Sequence, residues 1–258
     1  QPFVVRQRMG HQFGQANVVG GTLNDLTVVH GNLSLDGMLN VTTTPGGSFG
    51  PGLYRVISYD GTLNDQGLVM GTPSGSNYQV QTSVAHQVNL LNSGGLTLNF
   101  WDGSTGHANS TVDGGSGVWQ NSSGNGNWTS QTGQVNAPYT DGEFAIFMGT
   151  PGTVMVDNTL GSITSSGMQF AVSGYDVTGD AITLASGQDV IRVGDGTAAG
   201  AAMTATIGAP LLGSGQLVKE DLGTLILTGL NNYTGGTAIN GGVLQVAGNG
   251  SLGNVAGA

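Results

Sequence analysis

The stretch "GTLILTGLNNYTGGTAINGGVLQV", residues 223–246, sets short Leu, Ile and Val runs between clusters of Asn, Gly and Thr. Its first part, "GTLILTG" (223–229), is echoed by "GVLQVAG" (242–248). The echo pairs Gly223 with Gly242, Leu225 with Leu244, Leu227 with Val246 and Gly229 with Gly248. Short β-branched and leucine runs bounded by glycine and asparagine read as strands. Like runs returning at one short offset read as successive coils of a stack. On this reading the Asn, Gly and Thr clusters are the corners of a coil and not a site.

The same texture extends outward from residue 18 to residue 255. Strand candidates include "LTVV", "LSL", "LYRVISY", "YQVQTSV", "QVNLL", "LTLNF", "EFAIFM", "TVMV", "MQFAV", "AITL" and "DVIRV", each bounded by Gly, Asn, Asp or Ser. Helix is disfavoured, because the good surface helix formers are nearly absent: there is one lysine, Lys219, and two glutamates, Glu143 and Glu220. The chain therefore reads as all-β. A sandwich or barrel built from hairpins is one solution, since Asp-Gly and Gly-Asn pairs supply tight turns. A parallel β-helix is the other, and 48 glycines among 258 residues favour it by supplying corners that tolerate positive φ. Only 8% of residues are charged. That suits stacked coils, where like side chains form ladders about 4.8 Å apart and like charges would repel. At roughly 20 to 25 residues per coil, about 10 to 12 coils make a rod on the order of 50 Å long.

Charge excludes some partners. The net charge is −10, and Arg6, Arg8, Arg55, Arg192 and Lys219 make no cationic footprint for nucleic acid. Anionic lipid is disfavoured for the same reason, and no apolar run approaches the ~20 residues of a membrane helix, so direct membrane insertion of this segment is not expected. There is no cysteine, which fits a bacterial export route. The abrupt opening "QPFVVRQRMG" reads as a mature or excised fragment whose export and anchoring signals lie elsewhere.

Residues 213–253, "GSGQLVKEDLGTLILTGLNNYTGGTAINGGVLQVAGNGSLG", resemble the passenger-associated repeat of bacterial type V autotransporters. The residues that carry the likeness are Gly213, Gly215, Leu217, Lys219, Gly223, Thr224, Leu225, Leu227 and Gly229. They continue through Asn231, Tyr233, Thr234, Gly235, Gly236, Thr237, Gly242, Leu244 and Val246. The stretch "VWQNSSGNGNWTSQTGQVNAPYTDGEFAIFMG" (118–149) is similar to a recurring two-tryptophan unit of such passengers, and "GPGLYRVISYDGTL" (50–63) to segments further upstream. The resemblance implies a right-handed parallel β-helix (β-solenoid), export through a Gram-negative outer membrane to the cell surface, and a translocator barrel outside this chain. It divides a single passenger fragment, 1–258, into N-terminal rungs (1–117), Trp-containing rungs (118–205) and the repeat (206–258).

Candidate chemistry is sparse. "GGSFG" (46–50) fits a nucleophile elbow around Ser48, but the elbow needs a following helix. "GNGSLG" (248–253) fits a dinucleotide fingerprint with the same omission and reads as a corner. His11, His30, His86 and His107 are dispersed without metal-ligand spacing, so no metal or cofactor is expected. Asp176, Asp180, Asp189 and Asp195 surround Arg192, the one acid–base density that a glycan-active β-helix enzyme would use. Trp119, Trp128 and Tyr139 are the candidate binding residues: exposed, they would stack on sugars or anchor a protein, and otherwise they staple the edge of the solenoid.

The resemblance implies a surface adhesin without enzymatic turnover. Its partners would be a host-cell surface, an extracellular-matrix glycoprotein, or other bacteria through self-association. A structural stalk or folding core of a larger passenger, and a glycan-active enzyme, are the alternatives.

Overall fold

The computed structural model describes residues 3–5, 8–14 and 23–254. From residue 98 onward the chain winds through parallel sheets. One sheet stacks Leu98–Trp101, Phe144–Phe147, Gly167–Phe170, Gln188–Val193, Gln216–Glu220 and Thr237–Ile239 in that order. A second stacks Gly117–Trp119, Thr153–Val156, Tyr175–Gly179, Thr204–Ile207, Thr224–Leu227 and Val243–Val246. A third, shorter sheet holds Ile163–Ser165, Ile182–Leu184 and Leu211–Gly213. Each turn of chain visits the sheets in sequence and returns one level along, so every pairing joins one turn to the next. The architecture is all-β with parallel sheets, compatible with a β-solenoid.

The echo seen in the sequence is this register. Leu225 lies beside Leu244 and Leu227 beside Val246 in adjacent strands. Period-2 alternation then selects what fills the interior. Val154, Val156, Val177, Ile207, Leu225 and Leu227 point inward and are at most 2% exposed, each contributing about 1.5–3 kcal/mol by burial. Corners rely on glycine where coils approach closely. Gly213 has φ +102°, and a Cβ there would lie 2.4 Å from the carbonyl oxygen of Leu184 on the preceding turn.

The front of the chain uses the same device and then departs from it. Thr27–Val29 pairs in parallel with Gly52–Tyr59 in a 30-residue register (Thr27 to Ile57), and Leu33–Thr43 pairs with Leu63–Thr72 in a register that begins at 30 (Leu33 to Leu63) and shifts at two irregularities to reach Asn40 to Thr72. The corner repeats too: Gly61 N donates to Gly31 O, and Asn32 Oδ1 accepts from Thr62 N. Thereafter Gly52–Tyr59 pairs antiparallel with Gln87–Asn92, which pairs antiparallel with Tyr78–Gln81.

This antiparallel sheet lies against the outer face of the six-strand stack that begins at Leu98. Leu53 and Leu91 pack there with Phe100, Phe144, Ile146 and Met148, while Trp101, Ala145 and Phe147 face the interior. Residues 144–148 are consequently buried on both sides. A polar seam fixes the contact. Gln169 accepts from Leu53 N (2.6 Å) and donates to Leu53 O (2.8 Å), and Arg192 donates to Pro51 O (3.2 Å). The hairpin, together with the 37-residue step from Gly117 to Val154, uses chain length that regular coils would have taken. The described residues therefore hold fewer coils than the 10 to 12 expected.

Candidate functional site

The expected aromatic site is interior. Trp119, Trp128 and Tyr139 are each 0% exposed. Trp128–Thr129 runs antiparallel to Leu98–Trp101, setting Trp128 directly opposite Trp101. Trp128 thereby lies over the interior of the first coil, 5.0 Å from Trp119, 4.8 Å from Tyr139 and 5.6 Å from Phe147, ring centre to ring centre. Tyr139 donates to Glu143 O at 2.6 Å, and burial pushes its phenol well above the usual range. The sequence left these rings either exposed for stacking or stapling the edge of the solenoid; in the structure an antiparallel strand and its flanking loop close the coil stack at this end, and the faces that a sugar would stack on are buried.

The acid–base cluster does not assemble either. Asp176 and Asp180 belong to the second sheet and its corner, where Asp180 accepts from Asn158 N. Arg192 is 4% exposed, 3.0 Å from Asp221 and 4.1 Å over the ring of Tyr54. Asp195 pairs instead with Arg55, at 3.0 Å. Asp189 lies in register with Leu217 and so faces the interior; it is 1% exposed and burial pushes its carboxyl up to about 7. Four acids that are close in sequence thus take three unrelated environments.

The histidines are equally separate. His11 contacts Val56 O (2.9 Å), His30 contacts Asp60 (2.8 Å), His86 contacts Tyr59 O (3.0 Å) and His107 contacts Gly103 O (2.8 Å). Among the described residues no three His, Cys, Asp or Glu side chains are grouped to hold a metal. No helix follows Ser48, so the elbow geometry is missing there.

Two roles escaped the sequence reading. Lys219, noted only as part of the repeat pattern, is 0% exposed and donates to Glu220 O (2.6 Å), Asp221 O (2.9 Å) and Gly241 O (3.1 Å). It ties the corner of one coil to the corner of the next, and burial lowers its ammonium to about 8. The isolated lysine in a lysine-poor chain was the available signal. The seam of Gln169, Arg192 and Tyr54 left no such signal, because its partners are more than a hundred residues apart.

With one face of the stack covered by the front sheet, the second sheet offers an open lateral surface. Its outward positions form ladders: Thr153, Asp176, Thr206, Ile226 and Gln245 run in register, as do Thr204, Thr224 and Val243. Threonine, aspartate and glutamine alternate there with exposed Met155 and Val243. Such a surface can hold extended, shallow contacts.

The fold and this face define a class: a parallel-stacked, all-β, coil-forming segment with a lateral polar surface and a terminal repeat. Residues 217–246 match the family model of the passenger-associated transport repeat. The chain is 59% identical over 244 residues, 94% of its length, to the adhesin BmaC autotransporter of Brucella suis biovar 1 (strain 1330). It spans 7% of the length of that relative. The chain is a passenger segment of the type V autotransporter family. No solved structure matches it.

Proposed function

We propose that this segment is part of a surface-displayed adhesive rod. The observation that carries the reading is its likeness, across nearly its whole length, to a protein named an adhesin. As a passenger segment it reaches the cell surface through the outer membrane. Its coils are those of a right-handed parallel β-helix, with residues 1–117, 118–205 and 206–258 as consecutive stretches of one fragment. Recognition is non-enzymatic and uses the lateral ladders of Thr153, Asp176, Thr206 and their neighbours. The partners are host-cell surfaces, matrix glycoproteins or other bacteria. Stacked coils hold weak contacts in fixed register, and many such contacts along a longer rod add avidity. The dispersal of Asp176, Asp180, Asp189 and Asp195 away from Arg192 supports binding over glycan cleavage.

A stalk that spaces binding heads from the cell is the second reading, supported by the small share of its relative that the segment spans. Binding of the purified chain to immobilised matrix glycoproteins, host cells and bacteria, at two salt concentrations, separates the two. Saturable, selective binding is the expected result. Absence of binding across the whole panel would leave the stalk.

A further inference from the structure

Two hollows open side by side where the front hairpin meets the loop that follows Trp128. The first, about 260 Å³, is lined by Asn77, Gln79, Ser93, Leu96, Thr97 and Gln131 among others. The second, about 280 Å³, is lined by Val80, Gln81, Ser83, Ser110, Gln131 and Gln134 among others. Gln131 belongs to both, and its side-chain amide donates to Gln79 Oε1 across the ridge between them.

The ridge is held from beneath. Gln81, 2% exposed, donates to Gln131 O at 3.0 Å while its own oxygen accepts from Asn89 Nδ2 at 3.0 Å. Ser83 donates to the same Gln131 carbonyl at 2.6 Å. Segments about fifty residues apart are pinned together by these bonds. The hollows are thus a product of the tertiary fold, with a fixed floor.

Their lining has a distinctive chemistry. Neither hollow is lined by Asp, Glu, Lys, Arg or His. Amides and hydroxyls both donate and accept, which matches sugar hydroxyls that do the same. Leu91, Leu96 and Leu98 give the first hollow an apolar wall of the kind that the C–H face of a pyranose covers. A carboxylated or sulfated sugar would find no cation there to offset its lost hydration, and would approach a chain of net charge −10. Taken together the two volumes fall within the ~300–1,000 Å³ of small-molecule sites, enough for two adjoining rings.

We propose that the paired hollows on either side of the Gln79–Gln131 contact bind two adjoining rings of an uncharged glycan. The proposal rests on the adhesive reading and names its ligand class. Binding here is additional to contacts along the open ladders.

The test is saturation-transfer NMR and titration of the whole 258-residue chain. The neutral probes are lactose, maltotriose and N,N′-diacetylchitobiose; the charged probes are 3′-sialyllactose and a heparin disaccharide. At least one neutral probe should saturate the chain and outbind both charged ones. Its affinity should fall about fivefold or more, the loss of one or two hydrogen bonds, in the double variant Gln79→Ala/Gln131→Ala. Thr97→Trp, which fills the first hollow without touching the pins beneath the ridge, should weaken it as well. No neutral binding, equal or better binding of the charged probes, or indifference to both variants would overturn the proposal. A chain that attaches to cells but binds no neutral sugar would overturn the hollows alone. Sugar binding without attachment would support the hollows and overturn the adhesive reading.

Discussion

The two ends of the coil stack solve one problem differently. At the end nearer residue 98, Trp101, Trp119, Trp128 and Tyr139 fill the interior, and an antiparallel strand lies across the first parallel one. At the other end, Thr237–Ile239 and Val243–Val246 are the outermost strands of their sheets among the described residues; Ile239, in register with Lys219, is 57% exposed, and the inward Leu244 and Val246 are only partly buried. Both ends are written in the same Gly-, Asn- and Thr-rich corners. What differs is the filler: a cluster of three tryptophans and Tyr139 that closes a coil against water, or the single ring of Tyr233 with slim aliphatic side chains that suit a further layer. Corner residues set the path of the chain, and interior residues decide whether the stack is closed.

The largest expected effect is at the closed end. Trp128→Ala should lower unfolding stability by about 3–5 kcal/mol, the usual cost of removing a buried ring, read from urea denaturation. Ile239→Ala, on an outermost strand at the other end and 57% exposed, should change it by less than about 0.5 kcal/mol. Equal losses would erase the contrast between the ends.

Lys219 sharpens the comparison from inside the repeat. Lys219→Met keeps the length and removes the donor to three carbonyls, so a loss of about 1–3 kcal/mol is expected at pH 7. The wild type carries a pH signature as well. Burial lowers the folded-state pKa of Lys219 to about 8, below its ordinary 10.5. The unfolded chain therefore binds more protons between those values, and stability should rise with pH across that window. Lys219→Met should remove that slope, as checked by denaturation at pH 7.5 and 10.

The echoed glycines give a smaller, cleaner contrast. A Cβ on Gly229 would sit 2.7 Å from Gly208 O on the preceding coil, while one on Gly248 meets nothing within 4 Å. Gly229→Ala should cost about 1–3 kcal/mol by crowding, and Gly248→Ala close to nothing. Identical costs would mean that Gly248 is also covered.

Asp189 carries a pH signature of the opposite sign to that of Lys219. Burial raises its carboxyl from 3.8 to about 7. The folded chain then holds a proton that the unfolded chain has released, so stability falls as pH rises from about 4 to about 7. Asp189→Asn should be more stable than wild type at pH 8 and indistinguishable at pH 3.5 in thermal melts.

The stacking was legible because register is local in this fold. The pairing of Leu225 with Leu244 needs only adjacent turns, and the sequence displays it directly. Other features depended on distant chain. Nothing near Trp128 announces that its own short strand will run antiparallel beside the first parallel one and turn the ring over the interior, and the same composition would suit an exposed platform. Asp189 and Asp195 look equivalent in sequence, yet strand alternation sends the first inward, and the second meets Arg55 from a sheet more than a hundred residues upstream. The coil count was overestimated for the same reason: one-dimensional texture cannot distinguish a rung from the hairpin that covers it. The buried bonds of Lys219 were half legible, since the motif marked the residue but not its partners.

Native-state hydrogen exchange tests the contrast between the ends most directly, because local opening reports the stability of each turn separately. Amides in 145–147, 168–170 and 191–193, and the indole N–H groups of the three tryptophans, should exchange slowest. Those in 237–246 should exchange fastest among the strands. Strong protection of 237–246 together with rapid exchange at Trp119 and Trp128 would contradict the account, placing the stable core in the repeat and freeing the aromatic face for a partner.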